Sequence, residues 1–299
     1  MKEFFRVKAS KYVPGKEFDI VRPASLNNPK DNAVMFIMEK YMNHADAFAN
    51  VKNCLIFWPD SIAVPAELEE KHAVVKSREP HTDYCRFFAD NDITYLPEKE
   101  KVDVVDGAYI SPRATIGSSC TIMPGAYIGG ECILGDHVYI GCGTKLMGRV
   151  SCGNNVVIRE NTVIGADGLT TDRDRTGKAI TMPQFGDVII EDNVQIGANT
   201  VVARGAIDST VIKNGAKIDS QCFISHNTVI GEDSFIVGET IMFGSSSVGK
   251  RCLISGNCTI ANMVHIGDDT ILGMSATALK DVPSNVIAFG SPVNVVKER

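Results

Sequence analysis

Through more than half of this chain an aliphatic residue recurs at every sixth position. The series starts at Ile110 and runs Ile116, Ile122, Ile128, Leu134, Ile140, Leu146, Cys152, Ile158 and Ile164. It resumes at Ile190, Ile196 and Val202, shifts register near Arg204-Gly205, and continues from Ile212 through Ile218, Ile224, Ile230 and onward to Leu272. Four residues after each aliphatic stands a small side chain, such as Ala114, Cys120, Cys132, Ala216, Cys222, Thr228, Cys252 or Cys258. Gly, Asp and Asn crowd the positions between, as tight turns require. A period of six kept over roughly 160 residues is the signature of a stacked solenoid. The expected fold is mainly β: a left-handed parallel β-helix built of hexapeptides, three to a coil of about 18 residues. Large and small inward residues would pack against the next coil at the inter-strand spacing of about 4.8 Å. Cysteines at the small inward position are then expected to be inert core.

Residues 1–100 lack the period and read as a small N-terminal α/β domain. Val34–Met38, Cys54–Trp58 and Ala73–Lys76 resemble short strands. The stretch from Pro80 to Ala89 has proline at a helix start and Tyr84, Phe87 and Phe88 on one face. Pro97-Glu98-Lys99-Glu100-Lys101 reads as a linker to the β-helix of 101–278, and 279–299 as a C-terminal tail. The polar segment 166–187 is expected to be a loop extruded from the repeat.

Composition removes several classes. A net charge of −6 over 299 residues argues against a nucleic-acid surface. Apolar runs are too short to span a membrane, and MKEFFRVKAS is not a secretory signal. The expected location is the cytoplasm. Nine cysteines without a CxxC pair make disulfide and zinc frameworks weak readings.

Inside the repeat, SQCFISHNTVIG at 220–231 places His226 third in its hexapeptide, at a corner and pointing outward. Counting 18 residues back gives Asp208 at that corner, and 18 forward gives Gly244. A carboxylate below can hold the imidazole's tautomer and favour its protonated form. A glycine above leaves room for substrate, and its N–H can face a tetrahedral oxyanion. His226, Asp208 and Gly244 are therefore the candidate catalytic residues, suited to attack of an amine on a thioester. Of the other histidines, His44, His72 and His81 are expected at the surface of the first domain, and His137 at another corner.

Four pieces kept in order carry a resemblance: IGADG at 164–168, MPQFGDVIIEDNVQIGANT at 182–200, RGAIDSTVI at 204–212 and KIDSQCFISHNTVIG at 217–231. They resemble the UDP-3-O-acylglucosamine N-acyltransferase (LpxD) family of lipid A synthesis. VMFIMEKY at 34–41 and AVVKSREPHTDYCRFF at 73–88 are more loosely similar to that family's uridine-binding domain. The resemblance implies acyl transfer to the amine of a nucleotide-linked amino sugar, with Phe36 and Tyr41 stacking on the base and Asn227 and Ser220 among the substrate-binding residues. It departs at Ala203 and Ser220, where the family has Asp and Asn, and at Met263, where a second histidine would fall. The family's C-terminal helical extension is also missing, and GSPVNVVKER looks like the end of CoA-dependent sugar acetyltransferases. The donor is accordingly an acyl carrier protein thioester or an acyl-CoA, with Lys250, Arg251 and Lys280 the candidates for CoA phosphates. No permanently bound cofactor or metal is implied. Relatives of this kind form homotrimers, and outward aliphatics such as Val229 and Val264 would need cover.

Three rival readings stand beside this one. One is a CoA-dependent nucleotide-sugar N-acetyltransferase of surface polysaccharide synthesis. A non-catalytic scaffold is the second. The third is a zinc carbonic anhydrase, which needs three imidazoles on one metal; His226 and His265 are not separated by a whole number of coils.

Overall fold

A computed structural model describes residues 2–94 and 99–298. They fall into two compact units: one of residues up to 94 together with Leu169–Phe185, the other of residues 99–168 and 186–298.

The second unit is a left-handed parallel β-helix. Its strands are mostly two residues long and stack into three parallel sheets, one per face of a triangular coil. One face runs from Ala108–Ile110 through Phe223–Ile224 to Thr277–Ala278. The next runs from Thr115–Ile116 through Val229–Ile230 to His265–Ile266, and the third from Thr121–Ile122 through Lys217–Ile218 to Val286–Phe289. The register puts each sixth-position aliphatic over its equivalent one coil away: Ile218 on Ile236, Ile230 on Val248, Ile254 on Leu272. Those side chains and the small residues four positions on form one continuous core. Burial pushes the Cys132 thiol up to about 12 and that of Cys222 to about 11, so neither is a ready thiolate. Cys142, outside the inward series, is exposed.

Turn chemistry closes each coil. The fourth residue of many hexapeptides has positive φ, as at Asn155 (56°), Asn193 (60°), Asn227 (59°) and Asn257 (57°). That is the left-handed region which asparagine tolerates better than other non-glycine residues.

Both ends differ from a plain repeat. Asp103–Val105 pairs antiparallel with Ala108–Ile110 at one end. At the other, the coil continues past Ala278: Val282 bridges Ile266, Val286–Phe289 pairs parallel with Ile271–Leu272, and Asn294–Glu298 folds back antiparallel. Of the expected linker, Pro97 and Glu98 lie outside the described residues. Glu100 is tied to the first coils, accepting hydrogen bonds from Ser111 Oγ (2.8 Å), Arg113 Nη2 (2.8 Å), Tyr127 Oη (2.9 Å) and the Gly130 N–H (3.0 Å). Val264 points into the core, contrary to the outward placement expected of it, whereas Phe223, Phe235, Ile241 and Phe243 are exposed on the outer wall.

The first unit is a four-stranded parallel sheet, Arg22–Pro23, Ala33–Phe36, Leu55–Pro59 and Ala73–Ser77 in order, with helix Pro80–Ala89 on one face. Side chains alternate across the sheet. Val34 and Phe36 share the helix side, where Phe36 meets Tyr84 at 4.9 Å between ring centroids. Met35 and Ile37 join Phe48, Trp58 and Leu68 in a second cluster. Two features of this unit depart from the sequence expectation. His72 is fully buried, receiving the Cys54 N–H on Nδ1 (3.2 Å) and facing the Phe48 carbonyl with Nε2 (3.1 Å). And the segment expected to be a polar loop carries an antiparallel hairpin, Thr171–Arg173 with Ala179–Thr181, followed by buried Met182 and Phe185. Phe185 packs against Phe4, Phe5 and Phe88 at 5.2–5.9 Å, which is why Leu169–Phe185 belongs with this unit.

Candidate active site

His226 sits half-buried at the corner between strands Phe223–Ile224 and Val229–Ile230. Three contacts hold its ring. A Cβ added to Gly244, one coil above, would lie 2.5 Å from Nε2 and 2.6 Å from Cε1, so any side chain there would displace the ring. A Cβ added to Gly168 would lie 2.9 Å from the His226 Cβ and 3.0 Å from Cδ2. The imidazole is therefore clamped edge to edge between two glycines. The third contact is Asn227 Oδ1, 3.1 Å from Nδ1.

That third contact decides the tautomer. Asn227 Oδ1 also accepts the Ala206 N–H at 2.9 Å, and a backbone N–H can only donate, so the amide oxygen must face it. Nδ1 then meets an acceptor and carries the proton. The free lone pair is on Nε2, which faces the space over Gly244. Asn227 is itself fixed by its own N–H, which donates to Thr210 Oγ1 at 2.8 Å.

The coil beneath is irregular at this corner. Ile224 pairs with Val202, 22 residues back, whereas Val229 pairs with Val211, 18 residues back. Four extra residues are accommodated between, and both Arg204 and Asp208 fall under His226, depending on the strand from which one counts. Asp208 is half-buried in this turn. The count of 18 thus places Asp208 correctly only from the downstream strand, and the Nδ1 partner that the sequence reading gave to Asp208 is here Asn227. Arg204, which the repeat pattern does not single out, is 3% exposed and ion-paired with Asp167.

At the equivalent place in hexapeptides of another corner, backbone N–H groups turn to side chains instead of the ladder. A side chain from a neighbouring coil takes them: Asp136 Oδ1 accepts from Ser118 N–H (2.7 Å), Asn154 Oδ1 from Asp136 N–H (2.8 Å) and Asp268 Oδ1 from Lys250 N–H (2.9 Å). Gly244 lies between a histidine and an asparagine, Asn262, whose Oδ1 would be 3.2 Å from an added Cβ. Met263, next to it, is exposed at a φ of 61°.

The remaining candidates are dispersed. Ser220 is at a different corner, between Lys217–Ile218 and Phe223–Ile224, where its N–H donates to Asp219 Oδ1 (2.7 Å). His265 points outward from its strand, with Nδ1 2.7 Å from Ser247 Oγ. Lys250 and Arg251 face Asp268 and Asp269; Arg251 makes two bonds to Asp269, at 2.8 and 2.6 Å.

In the first unit, a cavity of about 390 Å³ opens at the carboxyl ends of the parallel strands, lined by Met38, Pro59, Ser77, His81, Thr82 and Asp172 among others. Open α/β sheets hold ligands at that end. Asp172 accepts from His81 Nδ1 (2.9 Å) and Thr82 Oγ1 (2.7 Å), and Phe36 packs on His81 at 5.1 Å. Burial opposes the ionised form of Asp172, but those bonds outweigh it and hold the carboxyl below its usual range. Tyr41 packs with the cluster around Met35 and Trp58, away from the helix side that Phe36 occupies, so the two rings are not presented as one slot. Among the described residues no helix is long and apolar enough to cross a membrane.

The fold and this corner define a hexapeptide-repeat β-helix bearing a clamped imidazole. Residues 113–148 match the family model "Bacterial transferase hexapeptide (six repeats)". The chain is 33% identical over 146 residues to the UDP-3-O-acylglucosamine N-acyltransferase of Wolinella succinogenes. That match spans 49% of this chain and 46% of the relative, about half the length of each. Among solved structures, a UDP-N-acetylglucosamine acyltransferase from Campylobacter jejuni aligns with a TM-score of 0.57 at 18% identity, covering 66% of this chain and 75% of its own. The enzyme from Bacteroides fragilis 9343 aligns with 0.52 at 23% identity, covering 66% and 74%. These structures share the fold.

Proposed function

We propose that this protein is an N-acyltransferase that moves an acyl group from a thioester to the amine of a nucleotide-linked amino sugar, as UDP-3-O-acylglucosamine N-acyltransferase does in lipid A synthesis. The observation that carries this reading is the His226 corner, where Nδ1–H is bound by Asn227 and the Nε2 lone pair is directed over Gly244. An imidazole so fixed is a general base. As the sugar amine attacks the thioester carbonyl, Nε2 takes the amine proton. The C–N bond forms, the carbonyl oxygen becomes an oxyanion beside the Gly244 N–H, and collapse breaks the C–S bond. The proton on Nε2 passes to the departing thiolate, which regenerates the neutral imidazole.

The first-unit cavity, at the strand ends and walled by His81, on which Phe36 packs, is the proposed place of the acceptor's nucleotide. Its polar groups, Ser77, Thr82 and Asp172, suit the hydrogen-bonding edge of a base. A carrier-linked acyl donor is favoured over CoA, because two of the three candidate phosphate ligands, Lys250 and Arg251, are already ion-paired with Asp268 and Asp269, which leaves Lys280. A homotrimer, with the exposed outer-wall residues Phe223, Phe235 and Ile241 covered, and a cytoplasmic location complete the proposal.

The experiment is a donor and acceptor matrix with the purified chain, read by product mass. It combines 3-hydroxyacyl carrier protein, acetyl-CoA and longer acyl-CoA with UDP-linked 2-amino and 2-acetamido sugars. Product with an amino sugar and the carrier thioester is expected. Product only with acetyl-CoA moves the function to the acetyltransferase reading, and no product with any pair rejects acyl transfer.

A further inference from the structure

Arg204 is the one residue at the His226 corner for which the acyl-transfer reading has no use, although its burial is costly. A guanidinium that is 3% exposed needs a counter-charge, and Asp167 supplies it. The Asp167 side chain is itself 46% exposed, so the pair is anchored from the Arg204 side. The guanidinium lies over Gly148, where an added Cβ would come within 3.1 Å of Nη1. The Arg204 N–H donates to the Ala166 carbonyl at 2.9 Å. Arg204 therefore grips the 166–167 backbone and the Asp167 carboxylate together. The residue after Asp167 is Gly168, which backs onto the Cβ and Cδ2 of His226. On the exit side of the excursion the Gly186 N–H donates to the Gly205 carbonyl at 2.9 Å, and the Thr210 N–H to the Asp187 carbonyl at 2.9 Å. The four extra residues of this coil thus knit both strands of the excursion's base to the corner beneath the imidazole.

We propose that Arg204 and Asp167 are positioning residues, whose ion pair presses the Gly168 turn against the His226 ring and so sets the direction of Nε2. This rests on the acyl-transfer reading for its kinetic consequence but not for its geometry. Without the pair, the Arg204 N–H bond to the Ala166 carbonyl still holds the strand, but the charged link to the residue next to Gly168 is lost.

The test uses the full chain carrying Asp167→Ala, Asp167→Asn, Arg204→Gln or Gly168→Ala, each checked by thermal unfolding. Two readouts are taken. In the first, kcat should fall roughly 10–100-fold in Asp167→Ala, as for a reacting group misplaced by about 1 Å. The acceptor KM should stay within about twofold, since a positioning residue acts on the transition state. Asp167→Asn, which keeps an acceptor for Arg204, should recover part of the loss. The second readout needs no activity: the His226 ring Cε1–H and Cδ2–H NMR signals should shift in Asp167→Ala and in Gly168→Ala. An active enzyme with wild-type kcat and unchanged ring signals in folded Asp167→Ala and Gly168→Ala overturns the proposal. An inactive wild type whose ring signals shift as described sinks the acyl-transfer reading and leaves the positioning role standing. Should Arg204→Gln fail to fold, the Asp167 and Gly168 variants still decide the question.

Discussion

Replacing Gly244 by alanine isolates the clearance over His226 from everything else the corner does. The new Cβ would stand 2.5 Å from Nε2 and 2.6 Å from Cε1, whereas ordinary contact begins near 3.4 Å. The ring tip must retreat by about 1 Å. It cannot swing straight back, because Gly168 meets its Cβ and Cδ2 on the other side. Reorientation off the rotamer costs roughly 0.5–1.5 kcal/mol and carries Nε2 off the line of attack. A misplacement of that size costs about 100-fold in rate, or about 2.7 kcal/mol of transition-state stabilisation. Stability should change little. Gly244 does not have a positive φ, so alanine is conformationally allowed and gains about 0.4–1 kcal/mol from the unfolded state, less whatever the ring shift costs. The two contributions nearly cancel, so Gly244→Ala is expected to unfold near the wild-type temperature while its kcat, measured by product mass with carrier-linked acyl donor, falls about two orders of magnitude. Activity within threefold of wild type in a folded Gly244→Ala would refute the reasoning, since no clash would then exist at the base.

Three further outcomes follow from other parts of the molecule. Burial alone would raise the Glu100 carboxyl, but its bonds from Arg113, Ser111, the Gly130 N–H and Tyr127 bring it down to about 2; its stabilisation is fully present above the unfolded value of about 4.3 and is lost as pH falls toward 2. Glu100→Gln should therefore lower the thermal midpoint at pH 7 and cease to differ from wild type near pH 2, and a difference that grows on acidification would contradict this. Ile230→Ala removes a fully buried rung and should cost about 2–5 kcal/mol in denaturant unfolding, while Phe235→Ala, 50% exposed, should cost far less. Phe36→Ala, which removes the ring packed on His81 of the cavity wall, should raise the acceptor KM about tenfold or more, at the stacking energy of roughly 1–3 kcal/mol per base, and Tyr41→Ala should raise it less, since its ring packs with the Met35 and Trp58 cluster; equal KM values in both variants and wild type would move the nucleotide elsewhere.

The solenoid was legible because its physics is periodic. One aliphatic and one small residue per hexapeptide specify the inward face, and Asn or Gly specifies the left-handed turn, so the core around Ile212–Leu272 follows by counting. His226 followed by the same counting, since the third place in a hexapeptide is an outward corner. Counting fails where the period breaks. The four residues inserted around Arg204 put two residues under one imidazole, and no spacing rule distinguishes them. Asn227 was legible as a turn residue, yet its bond to Nδ1 depends on the Ala206 N–H, which the inserted turn delivers. The excursion at 169–185 looked polar because Met182 and Phe185 are two apolar residues in a charged stretch, and only their packing on Phe4, Phe5 and Phe88 explains them. His72 is buried because two backbone groups, the Cys54 N–H and the Phe48 carbonyl, satisfy both ring nitrogens, and burial in turn disfavours its charged form. A sequence pattern carries no trace of such a pairing.

The most direct test of the account is the rate of His226→Ala. With a carrier-linked acyl donor and a UDP-linked amino sugar as acceptor, kcat should fall by about 10²–10⁴, the usual worth of a general base. The acceptor KM and the thermal midpoint should stay near wild type, because His226 is a half-buried corner residue outside the core. A folded His226→Ala that turns over within a factor of about three of wild type would contradict the assignment of His226 as the base.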